Sequence, residues 1–101
     1  MDEQQRVVEF VAAHELEAPP EFRVLDLVSE VGEVAKDAAE STAYGSSPAT
    51  LSVESDEIGD VLFSLLALSN ALEIDAGEAL DEALAKYENR MANRGDPSSG
   101  T

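Results

Sequence analysis

Four carboxylates stand out by their spacing. Glu30 and Glu33 lie three residues apart, and so do Glu57 and Asp60. Residues three apart on a helix share a face, so each pair can present two carboxylates to one point. If the two helices pack antiparallel, all four groups converge. Hard oxygen donors of this kind suit Mg²⁺, with Mn²⁺ as a substitute, far better than zinc. The chain has no cysteine and a single histidine, His14, which leaves no thiolate site and no Glu-x-x-His di-iron pattern. In a chain with 22 acidic residues such pairs also arise by chance, so their surroundings matter. Val31 and Val34 flank the first pair, and Ile58, Val61 and Leu62 surround the second. Acids bordering apolar faces repel one another strongly, and a cation resolves that conflict.

The basic residues point the same way. There are only six, and Lys86, Arg90 and Arg94 fall in one short stretch with Asn89 and Asn93 between them. Lys36 sits one turn beyond Glu33. A cation bridging phosphate oxygens, with Lys and Arg neutralising the rest, is what a polyphosphate needs. Taken singly, Lys86 and Arg90 could serve the carboxyl end of their own helix, and Lys36 could pair with Glu33. Beside the acids, Lys36, Lys86, Asn89 and Arg90 form a candidate phosphate-binding set.

Helices are the elements that must position these groups. Apolar residues at three- and four-residue steps predict helices over about 3–16, 22–39, a start between Thr50 and Ser55 to about 73, and from Asp75 onward. Pro19-Pro20 separates the first two. The segment 41–50 is rich in small, turn-forming residues and reads as a loop of the length that often carries function. One of the hydroxyls between Thr50 and Ser55 is expected to cap the third helix, and Asp75 with Glu78 has the spacing of a capping box at the fourth. Nothing alternates with period two. The fold expected is all-α, an antiparallel four-helix arrangement that oligomerises into a larger bundle. Residues 1–93 make a single domain, and 94–101 are expected to be a disordered tail.

Composition narrows the function. The formal net charge is −16, with 22 acidic against 6 basic residues. Binding to a nucleic-acid duplex is disfavoured, because it needs clustered cations to displace counterions. With 44% hydrophobic residues in clear periodicity, the chain is not a disordered acidic segment. The polar, acidic start lacks the pattern of a secretory signal, and the longest apolar run is interrupted by Asp60, Ser64, Ser69 and Asn70. The expectation is a soluble cytoplasmic protein without membrane contact.

LDLVSEVGEVAK followed by SDEIGDVLFSLLALSNALEIDAGEALDEALAKYENRM resembles the MazG-like members of the all-α NTP pyrophosphatase superfamily. The family's Glu-x-x-Glu falls on Glu30 and Glu33, its Glu-x-x-Asp on Glu57 and Asp60, and its late basic element on Lys86 and Arg90. The resemblance implies Mg²⁺-dependent hydrolysis of a nucleoside triphosphate to the monophosphate and pyrophosphate. Glu33 is its candidate for accepting the water proton, and Lys86, Asn89, Arg90 and Lys36 its candidates for holding phosphates. It also implies a homodimer or homotetramer with a site completed by a neighbour. Phe22 and Tyr44 are candidates to stack on a base, whereas Phe63 reads as core. Phosphoribosyl-ATP pyrophosphatase is the nearest rival, though VLFSLLAL lacks the aromatic and histidine residues usual there. A non-catalytic acidic bundle that binds a basic partner is the rival of another class.

So acidic a surface suits concentrated salt, where screening relieves self-repulsion, and points to a halophilic source. The melting temperature should accordingly rise between dilute and molar KCl; equal stability in both would remove the halophilic reading.

Overall fold

The computed structural model describes residues 1–95 and forms four α-helices: α1 (Asp2–Ala13), α2 (Pro20–Ser41), α3 (Ser55–Ala71) and α4 (Ala76–Arg94). A single 3₁₀ turn, Pro48–Thr50, interrupts the loop between α2 and α3, and no strand occurs among the described residues. No described helix is long and apolar enough to cross a membrane. Arg94 closes α4 with Gly95 as its left-handed cap, so the helix runs one residue past the expected domain boundary. The rest of the expected tail, residues 96–101, lies outside the described residues.

Local chemistry sets the helix starts. Pro20 occupies the first turn of α2, where its missing N–H costs nothing and its fixed φ is already helical. Asp75 caps α4, its Oδ1 accepting the Glu78 N–H at 2.9 Å, as the capping-box spacing predicts. The start of α3 differs from expectation. Its N-cap is Glu54, without a side-chain cap. The nearby hydroxyls stitch the loop to the end of α2 instead: Thr50 Oγ1 donates to the Ser41 carbonyl at 2.5 Å, and the Ser52 N–H donates to Ser41 Oγ at 2.9 Å.

Helix ends follow one device three times. After α1, α2 and α3 the chain turns through a left-handed residue, Glu15 (φ 54°), Ala43 (φ 51°) and Glu73 (φ 57°). The next N–H reaches back five residues: Leu16 to Val11, Tyr44 to Ala39, Ile74 to Ser69, at 2.9, 2.6 and 2.8 Å. These are Schellman turns. Glycine normally sits at the left-handed position, because other L-residues are strained there.

Helix α3 is the centre of the packing, with α2 along one side and α1 along another. Arg23, near the start of α2, lines a small cavity with Ala67, Asn70 and Ala71 at the end of α3. Asp37, near the end of α2, meets Glu57 at the start of α3. The pair is therefore antiparallel. Val11, Leu66 and Ala67 are the fully buried apolar residues, and Arg23 is buried beside them. Its guanidinium donates to the Leu16 carbonyl and lies 4.0 Å from Asp26, which ties the α1–α2 link to α2.

Helix α4 is anchored at its start. Gln4 of α1 accepts the Ala76 N–H and donates to the Ile74 carbonyl, both at 2.8 Å. Beyond that anchor α4 packs along no other helix. Its apolar stripe, Leu80, Leu84, Tyr87 and Met91, is exposed, as are Leu25 and Val28 on α2. The radius of gyration is 16.6 Å, against about 13 Å for a compact domain of this length. Three of the four expected bundle helices pack together within one chain.

Replacing Glu73 by glycine should relieve the left-handed strain at the α3–α4 turn without removing a contact. The expected gain is about 0.5–1 kcal/mol, read as a higher urea midpoint at unchanged slope. A lower midpoint would show that the turn is not the one described.

Candidate metal centre

Glu57 stands in the first turn of α3, facing α2. Its side chain is half-buried, and one oxygen, Oε2, is shut off from water without a hydrogen-bond partner. Its neighbours are acids. Asp37 lies within hydrogen-bonding reach, and Asp56 and Glu33 add their charges. The contact with Asp37 is the main reason the Glu57 carboxyl is pushed up to about 7 from 4.5, followed by burial and the three nearby charges. Two carboxyl groups hydrogen-bond only when one of them carries a proton. Once both ionise, neither has anything to donate. A cleft of about 360 Å³ opens alongside, lined by Asp37, Glu40, Ser41, Ser52, Glu54 and Glu57.

The antiparallel register places the four expected carboxylates. With Asp37 opposite Glu57, Glu33 lies one turn further along α2 and close enough for its charge to act on Glu57. Glu30 is seven residues from Asp37, roughly 10 Å along the helix axis, and Asp60 is exposed on α3 one turn beyond Glu57. The structure thus brings Glu33 towards Glu57, whereas neither Glu30 nor Asp60 is among the groups that act on it. Among the described residues, no three His, Cys, Asp or Glu side chains are gathered closely enough to hold a metal ion as they stand.

The basic candidates are further apart. Lys36 is exposed on α2, next to Asp37 in sequence. Lys86, Asn89 and Arg90 are on α4, which does not pack along α2 or α3, so no helix packing within the chain carries them to the carboxylates. The Lys86 Nζ rests 5.4 Å from the ring centre of Tyr87, and Asn89 accepts a hydrogen bond from Asn93 at 3.2 Å. The expected base-stacking residues stand in the open: Phe22 is 55% and Tyr44 82% exposed. Phe63, read as core, is half-buried and packs edge-on against the exposed Phe10 at 5.9 Å.

Asp37 was not among the residues singled out by spacing. A signal for it does exist: Glu30, Glu33 and Asp37 stand at i, i+3 and i+7, one stripe along one helix face.

A family model, the MazG nucleotide pyrophosphohydrolase domain, matches residues 19–95. The chain belongs to this family. The uncharacterized protein YpjD of Bacillus subtilis (strain 168) is 36% identical over 72 residues, covering 67% of this chain and 63% of that protein. The chain thus spans a little under two thirds of that relative's length. No solved structure matches it significantly.

The residues present fit a divalent cation by their chemistry. They offer oxygen donors alone, and an orphaned carboxylate oxygen among like charges. In the metal-free protein the raised Glu57 value has a defined consequence. Between pH 4.5 and about 7 the folded state holds a proton that the unfolded chain has released. The stabilisation from this group is therefore complete below pH 4.5 and lost as pH rises to about 7. Urea midpoints of the wild type and Glu57→Gln, compared without divalent metal, should diverge in favour of the variant across that window. A difference independent of pH would contradict the Asp37–Glu57 contact.

Proposed function

We propose that this chain hydrolyses nucleoside triphosphates, ribo- or deoxyribo- and including noncanonical ones, to the monophosphate and pyrophosphate with Mg²⁺, Mn²⁺ serving as a substitute. The observation that carries this reading is the uncompensated Glu57 carboxylate on the α2–α3 seam, in a chain that belongs to the MazG family. Glu30, Glu33, Glu57 and Asp60 are the residues to hold the cation. When bound, that ion supplies charge neutralisation at the α-phosphate and acidifies a bound water. Glu33, one turn from the Asp37–Glu57 pair, takes the proton from the attacking water in this reading. Lys36, Lys86, Asn89 and Arg90 bind the phosphate chain and set its orientation.

The last three of those residues reach the carboxylates from a second copy of the chain, in a homodimer or homotetramer. Support comes from the unpacked α4 and its exposed Leu80, Leu84 and Met91 stripe, matched by exposed Leu25 and Val28 on α2. The accessible surface of 7115 Å² also exceeds the roughly 5500 Å² expected for a compact monomer of this mass. Burying such stripes against each other removes apolar area from water and encloses the site.

The test is pyrophosphate release from a panel of canonical, deoxy and modified triphosphates with Mg²⁺. Glu57→Gln should lower turnover by about 100-fold or more while circular dichroism stays unchanged. A non-catalytic acidic domain would release no pyrophosphate in either form. Sedimentation of the wild type at a species of two or four chains is expected, and a monomer at micromolar concentration would remove the shared-site arrangement.

A further inference from the structure

We infer that Ser64 is a positioning residue of the α2–α3 centre, its hydroxyl donating to the Glu30 carboxylate across the seam and holding that group towards the cation. This rests on the cation-binding part of the function proposed above and extends it to a side chain that is not itself a ligand.

The register of the two helices carries the pairing. At one end of the seam, Asp37 of α2 and Glu57 of α3 border the same cleft. At the other, Arg23 of α2 shares a small cavity with Ala67, Asn70 and Ala71 of α3. Fourteen residues separate Arg23 from Asp37, and fourteen separate Glu57 from Ala71. In an antiparallel pair the midpoints meet, and these are Glu30 and Ser64. Steps of seven return a helix to nearly the same face. Glu30 therefore lies on the side of α2 that Arg23 and Asp37 share, and Ser64 on the side of α3 that Glu57 and Ala71 share.

The state of the hydroxyl gives that pairing its meaning. Ser64 is only 6% exposed, and among the described residues its hydroxyl makes no hydrogen bond. Ser69, also buried on α3, shows the usual solution: it donates to the Leu65 carbonyl one turn back, at 2.9 Å. A buried hydroxyl without a partner is costly, and alanine suits a helix interior better. Glu30 is half-buried, and an ionised carboxylate only accepts. A donor on one of its oxygens fixes the orientation of the group and leaves the other oxygen for an ion, as the carboxylates that ligate metals require. Ser64 stands one turn past Asp60, and Glu30 one turn before Glu33. The bond thus closes the carboxylate set on the side of the Leu66 and Ala67 core.

Mn²⁺ uptake, followed by the free-ion electron paramagnetic resonance signal, is the readout, because it needs neither substrate nor turnover. The samples are the wild type, Ser64→Ala, Ser64→Thr, Glu30→Gln and the double variant of Ser64→Ala with Glu30→Gln, with Ser69→Ala as control. Ser64→Ala should bind about tenfold more weakly. Metal-free, it should melt no lower than the wild type, since it loses a hydroxyl that no group engages. Ser64→Thr keeps the hydroxyl and should recover most of the affinity, and Ser69→Ala should keep all of it. Because Ser64 acts through Glu30, the double variant should bind within about twofold of Glu30→Gln.

Wild-type affinity in Ser64→Ala overturns the inference, as do losses that add in the double variant or a wild type that takes up no Mn²⁺. A metal-free Ser64→Ala that melts lower does so too, because its hydroxyl is then bonded within the fold. So does a folded Ser64→Thr as weak as Ser64→Ala. Pyrophosphate release measured on the same samples separates this role from the function it rests on. Hydrolysis by the wild type with unaltered Mn²⁺ binding in Ser64→Ala removes the role of Ser64 alone. Weakened binding in Ser64→Ala with no hydrolysis by any form removes the enzymatic reading and leaves Ser64 in place.

Discussion

Carboxylates on two antiparallel helices meet at the α2–α3 seam with no cation of the chain's own between them. The contact of Asp37 with Glu57 follows directly from the register of the seam, since Arg23 at one end of α2 is matched to Ala67 and Asn70 of α3. Sliding α2 by one residue would turn its apolar side away from α3 and its acids with it. Packing and site therefore stand or fall together. What fixes Leu66 and Ala67 in the core also fixes which acids face one another.

That seam is bordered by a small core. Val11, Leu66 and Ala67 are fully buried, while long apolar side chains on α2 and α4 stay open to solvent. Burial of apolar area is the main favourable term in folding, and a domain of this size has little to spare. Part of the remaining order comes from polar ties instead. Arg23 holds the α1–α2 link through the Leu16 carbonyl, Gln4 holds the α3–α4 turn, and Thr50 and Ser52 hold the long loop to Ser41. These contacts orient the helices without enclosing them. The apolar faces left over are those against which the proposed second copy would pack.

Helix existence was legible in the sequence because apolar residues recur at helical steps over each segment. Helix ends were less so. Glu15, Ala43 and Glu73 adopt the left-handed turn that glycine usually marks, so nothing in their identity signals a stop, and α1 and α3 end two to three residues earlier than periodicity predicts. Thr50's hydroxyl looked like a cap but bonds to the end of α2, and Ser52 joins the same end through its N–H, partners that only the loop's path supplies. At the seam, spacing singled out Glu57 and Glu33, whose charges the structure brings near one another. Asp37, which the three-residue spacing left unmarked, meets Glu57 from the helix opposite. Whether Glu30 and Asp60 approach Glu57, and where Lys86 and Arg90 lie, depends on register and on α4, and neither is written in local periodicity.

Charge places one more constraint on how such a seam can meet a polyphosphate. At a net charge of −16 the chain repels an anionic ligand at long range, and salt confines that repulsion to about 8 Å at physiological strength. Of its six basic residues, Arg23 is already committed to the α1–α2 link. In the proposed function, attraction is short-range and concentrated: a cation at the carboxylates, and the basic residues of α4 brought close to it. Neither alone suffices. The acids without a cation repel phosphate, and Lys86 on a helix that packs along no other cannot hold a phosphate chain in one orientation. The site proposed above, assembled from ion, nucleotide and a second chain's α4, would satisfy the seam's charge, the open apolar stripes and the scarcity of basic residues at once.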